Sequence, residues 1–170
     1  MTMLSHEEHS AAGFRRGAPR FGATHVLEAR RTGSFRGIAS AGRVGEMQLA
    51  FRGTGGVVVG DELSQLLRRT SDQPISLLAR WIVQRRIVHF EWQGLTWLPL
   101  FQFDLASMEV RPGLHQAVAE LRGVFDDWEL TQWFARPNCW MDGRSPSELM
   151  AADPNSVLEV ARADRFVAAG

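Results

Sequence analysis

Between Asp127 and Met150 the chain reads DWELTQWFARPNCWMDGRSPSELM, and three sharp breaks leave this stretch few ways to fold. Asp126 can cap a helix carrying Trp128, Leu130, Trp133 and Phe134, with Glu129 placed three residues on to complete a capping box. Pro137 must end that helix, because proline drives the residue before it out of α conformation. Asp142-Gly143 reads as a turn within a loop over residues 138–144. Ser145-Pro146-Ser147-Glu148 then starts a second helix, with serine as cap, proline at the first helical position and glutamate reaching back. The stretch holds three of the six tryptophans (Trp128, Trp133, Trp140) and the only cysteine, Cys139. Two short helices flanking an aromatic loop make a shape for recognition, with no reactive centre of their own. Trp128 and Trp133 are expected in the core; Trp140, Arg136 and Arg144 are expected at the surface, where tryptophan and arginine anchor interfaces.

The remaining chain divides around this unit. Residues 1–44 are rich in glycine and arginine with no sustained apolar period, and read as a flexible basic segment. Residues 1–60 carry eight arginines against four carboxylates, whereas residues 61–170 carry eleven against fifteen, although the net charge is zero. Arg15, Arg16, Arg20, Arg30, Arg31 and Arg36 could follow phosphates or simply be solvated. His6, His9 and His25 fall in this segment without metal-ligand spacing. All nineteen basic residues are arginine and tyrosine is absent, as fits a GC-rich bacterial genome.

GEMQLAFR (residues 45–52) fits both a helix and a strand. GTGGVVVG (53–60) reads as a glycine-rich connector without the lysine of a phosphate loop. Asp61 is expected to cap ELSQLLRR, and Pro74 to open PISLLARWIVQRR with Leu77, Leu78, Trp81 and Ile82 inward. IVHFEW alternates, Gln93-Gly94 turns, and LTWLPLFQFD returns, which predicts a hairpin with Pro99 at an edge or bulge. Helix, turn, helix, hairpin is the order of a winged helix-turn-helix, whose second helix enters the major groove. Arg80, Arg85 and Arg86 are then the candidate DNA contacts. Two further helices are expected, LHQAVAELRGVF and the segment opened by Asp153-Pro154.

His89 and Glu91 would share one strand face and offer a His–carboxylate pair for a small hydrolase or transferase. No G-x-S-x-G is present, and a zinc deaminase needs the paired cysteines that a single Cys139 cannot supply. The expectation is therefore no enzyme, with no catalytic, cofactor or metal site. One cysteine also excludes an internal disulfide and fits a cytoplasmic setting. No run approaches the 18 apolar residues of a spanning helix, and MTMLSHEEHS lacks the layout of a signal peptide.

The order helix, W-F-x-x-P-N, loop, G-R-S-P-x-E-L and D-P-x-x-V-x-x-x-A resembles the C-terminal toxin-binding domain of the Xre/MbcA/ParS antitoxins. Trp133, Pro137, Asn138, Gly143, Pro146, Leu149, Val157 and Ala161 carry the likeness. The resemblance implies a type II antitoxin that binds and neutralises a RES-type toxin acting on NAD, often as a homodimer and often repressing its own promoter. It implies a toxin-binding surface containing Trp133, Pro137, Asn138, Trp140, Arg144 and Pro146. It also brings the C-terminal tail, with Arg162 and Arg165, near the toxin's active site. The region upstream departs from the family's usual all-helical module.

The expected architecture is α+β and mostly helical: a flexible segment over 1–44, a winged-helix-like domain over 45–110, and a small helical toxin-binding domain over 111–170. The expected function is toxin neutralisation with DNA-binding autorepression; the alternative is a DNA-binding transcriptional regulator without a toxin partner.

Overall fold

The computed structural model describes residues 40–170. The arginines and histidines singled out between residues 1 and 39 lie outside the described residues. The fold is α+β, mostly helical, with a small antiparallel sheet. Residues 40–44, expected within the flexible segment, are already helical. They open α1 (Ser40–Ala50), which resolves the ambiguous GEMQLAFR run as helix. Val44 and Met47 form its buried side, and Phe51, just past its end, is buried with them.

The glycine-rich connector proves to hold a strand. Val57, Val58 and Val59 form β1 (Val57–Val59), as β-branched residues favour. Its pairing with the hairpin continues through Val59, so α2 (Gly60–Leu67) turns directly off the strand with Val59 at its cap position. Asp61 therefore does not cap. It sits with Glu62 in the first turn, where negative charge complements the helix dipole. After a polar turn, Pro74 opens α3 (Pro74–Val83) as expected.

α3 is shorter than the sequence predicts. It stops at Val83, and Arg85 takes the left-handed conformation at φ 55°. The Arg86 amide then reaches back to the Trp81 carbonyl at 2.9 Å. The physical reason lies downstream: Ile87 and Val88 are both buried but enter opposite cores, so the chain must leave the helix axis before them.

The hairpin forms from β2 (Phe90–Trp92) and β3 (Leu95–Pro99), joined by Gln93 and Gly94, both at positive φ. That is the geometry a two-residue hairpin loop requires. The sheet order is β1-β3-β2, so β3 is central and not an edge strand. Pro99 is its last residue, opposite Val57 and beyond the reach of β2, where a missing N–H interrupts no ladder on that side. The return strand also ends sooner than expected. A 3-10 turn over Leu100–Gln102 breaks it, and β4 (Phe103–Asp104) pairs with β5 (Glu109–Val110) as a separate small hairpin.

Two apolar clusters sandwich the main sheet. On one face Leu63, Leu67, Leu78 and Trp81 of α2 and α3 pack with Leu98, Phe103 and Ile87. On the other, Phe90 and Phe101 join α1 and the C-terminal helices: α4 (Leu114–Leu121), α5 (Asp127–Ala135), α6 (Pro146–Leu149) and α7 (Pro154–Ala169). This second cluster combines Phe51, Val88 and Phe101 with Leu114, Val118 and Leu121 of α4, and with Leu130, Phe134 and Val157. It thus runs across the boundary drawn between residues 110 and 111. Among the described residues no helix is long and apolar enough to cross a membrane.

Candidate functional site

The C-terminal unit is built by local chemistry. Asp126 Oδ1 accepts from the Glu129 amide at 2.7 Å, and Glu129 Oε2 accepts from the Asp126 amide at 3.0 Å, completing the predicted box. Arg136, just before Pro137, is extended at φ −86° and ψ 140°, and α5 ends. The loop then closes on itself. The Asn138 amide donates to the Arg144 carbonyl at 2.9 Å, and Asn138 Oδ1 accepts from the Trp140 amide at 2.9 Å. Asp142 and Gly143 take left-handed conformations and turn the chain back. Ser145 and Glu148 form the second capping box that starts α6.

One carboxylate fastens this loop to the last helix. Asp164 Oδ2 accepts from Trp133 Nε1 at 2.7 Å and from Asn138 Nδ2 at 3.3 Å. Sequence reading missed Asp164, which lies between two arginines on α7 with no motif to mark it. The available signal was indirect: a tryptophan at a core position needs an acceptor for its indole N–H.

The expected docking residues separate into two groups. Trp140 is 72% exposed and Pro137 and Arg144 are exposed, so they form a reachable ridge. Cys139 is also exposed there. Trp133 and Asn138 are half-buried and occupied by Asp164. Pro146 is buried between Ser145 and Ser147, both also buried, so it shapes the ridge from below and cannot itself touch a partner. Arg162 Nε and Arg165 Nη1 lie 3.1 and 2.6 Å from the Glu120 carboxylate of α4. Both arginine side chains remain more than half exposed, while the Glu120 side chain they share is only 20% exposed.

On the opposite layer Arg80, Arg85 and Arg86 are exposed. Arg86 borders a shallow depression with Arg111, Pro112, His115 and Gln116. Arg85 approaches Arg122, whose Nε and Nη1 are buried without partners. Burial holds the Arg122 guanidinium below the usual arginine range, and the Arg85 charge adds to the effect.

His89 and Glu91 have different partners. His89 Nε2 lies 3.8 Å from Asp127 Oδ2, while Glu91 accepts from Thr96 Oγ1 at 2.5 Å across the hairpin. Among the described residues no group of three or more His, Cys, Asp or Glu side chains could hold a metal ion. Compared with protein-family models, curated proteins and solved structures, the chain matches none.

Proposed function

We propose that this chain is a type II antitoxin that neutralises a RES-type NAD-targeting toxin by direct binding. In this reading it acts as a homodimer and represses its own promoter through a winged helix-turn-helix. The observation that carries the toxin-binding half is Trp140: a tryptophan left 72% exposed on a loop that Asn138 and Asp164 hold in one conformation. A large aromatic presented on a pre-organised loop costs little entropy to bury against a partner. The exposed Arg144 and Pro137 beside it supply a polar and a rigid flank.

The DNA-binding half is supported by connectivity. The order α1, β1, α2, α3, β2, β3, with the sheet running β1-β3-β2, agrees with a winged helix whose α3 is the groove helix and whose β2–β3 hairpin is the wing.

Co-purification with the toxin encoded beside the gene tests the first half. Trp140→Ala should weaken capture by about 2 kcal/mol or more, some thirtyfold, as anchoring tryptophans do. Its circular dichroism and melting should be unchanged, because the side chain supports no core. Arg165→Ala should weaken capture to a smaller degree. Undiminished capture by both variants would remove this surface from the interaction.

A further inference from the structure

The solvent face of α3 carries an apolar row that nothing in the described molecule covers. Ile75, Ala79 and Val83 recur every fourth residue and are all exposed, Ile75 by 69% and Val83 by 80%. Ser76 and Arg80 run beside the row and are exposed too. The opposite side of the helix already fills a core through Leu78 and Trp81, so folding has no use for a second apolar row. The surroundings say what would cover it. Residues 65–90 contain five arginines (Arg68, Arg69, Arg80, Arg85, Arg86) and one carboxylate, Asp72. All five arginines are exposed, and none is in an ion pair among the described residues. A second copy of the chain docked here about a two-fold axis would set these arginines against their own counterparts. The complement is a polyanion with an apolar strip between its charges. The major groove of duplex DNA is such a surface, with phosphate walls and thymine C5-methyl groups on its floor.

We infer that Ile75, Ala79 and Val83 read thymine methyl groups in the major groove while Arg80 reads an adjacent guanine. Arg68, Arg69, Arg85 and Arg86 face the flanking phosphates. The inference rests on the DNA-binding reading above and adds to it a base preference: a guanine bordered by thymines. Ser76, Arg80 and Gln84, which continues their row at the end of the helix, can hydrogen-bond a base edge, and shape and methyl contact carry the remaining discrimination.

The test enriches a random duplex library on the full chain, then resynthesises the selected duplex with deoxyuridine for thymidine, which removes only the C5-methyl. Affinity should fall about fourfold for each methyl contacted, the equivalent of one buried carbon. In the double variant Ile75→Ser, Val83→Ser the thymidine-to-deoxyuridine ratio should drop towards one, and the exposure of both sites keeps the variant folded. Arg80→Ala should keep that ratio and lose the guanine preference. Equal affinity for both duplexes overturns the methyl inference and leaves the DNA-binding reading standing. No duplex binding overturns both. A dimer in solution that dissociates in the double variant would give the row to a second copy and overturn the inference as well.

Discussion

Arg85 occupies a position that glycine usually fills. The residue just past a helix, at positive φ with its successor bonded back into the last turn, strains any side chain by about 1 kcal/mol or more. Here it also presses a positive charge towards the partly buried Arg122. Arg85→Gly should therefore raise the stability of the chain by about 1 kcal/mol in urea unfolding, and in the same variant weaken duplex binding and lessen its salt dependence. A glycine variant that is less stable would mean the Arg85 side chain holds the turn together. Strain kept at a proposed contact residue is what a functional position, and not a structural one, leads one to expect. None of this was visible in WIVQRR, where the polar pattern simply continues the helix to Arg86. What ends α3 is the need to send Ile87 and Val88 into different cores, and that is a tertiary demand.

Helix starts were legible wherever their chemistry is local. Asp126 with Glu129, Ser145 with Glu148, and Asp153 ahead of Pro154 all act as the spacing predicts. Asp61 misled because the strand feeding its helix lay hidden in a glycine-rich run. Capping also sets how the elements respond to acid. The Ser145 backbone amide, then the Ser145 hydroxyl, hold the Glu148 carboxyl below its ordinary value of 4.5. The Ser156 hydroxyl and amide hold Asp153 below 3.8, and the Ser107 and Ala106 amides do the same for Asp104. A carboxylate depressed in the folded state contributes stability above its ordinary value and loses it as pH falls through the lowered one. Unfolding midpoints should accordingly decline as pH falls below the ordinary values of 4.5 and 3.8. Glu148→Gln should be less stable at neutral pH and lose less over that window. An identical acid profile in variant and parent would detach the α6 cap from the effect.

At the scale of the molecule, the least predicted feature is Gln102. Fully buried, it accepts from the Val88 amide at 2.7 Å and donates to the Val88 and Pro99 carbonyls at 2.9 and 2.8 Å. It bridges the entry to β2 and the exit from β3, where ordinary strand pairing has ended. In the sequence it is one more polar residue in PLFQFD, since burial and partners are both remote from its own neighbours. Gln102→Leu strands those three backbone groups and should cost about 3 kcal/mol or more. Heating should unfold the parent in one transition, with calorimetric and van't Hoff enthalpies equal, because Gln102 and the Ile87-Val88 pair tie both layers to the same sheet. Two resolved transitions would show that the layers melt separately. The exposure of Trp140, Pro137 and Arg144 was legible. Pro146 and Asp164 were not, because which side of a short helix faces inward depends on α7 folding over it.

That shared sheet also limits how the gene can be divided. A fragment ending near Arg111 would carry Phe51, Phe90 and Phe101 covered by α1 alone, without the C-terminal helices. The complementary fragment would carry Leu130, Phe134 and Val157 with their aromatic bedding gone. Neither piece is a transferable module, so grafting the tryptophan loop onto another protein requires carrying the far strand and its helix along.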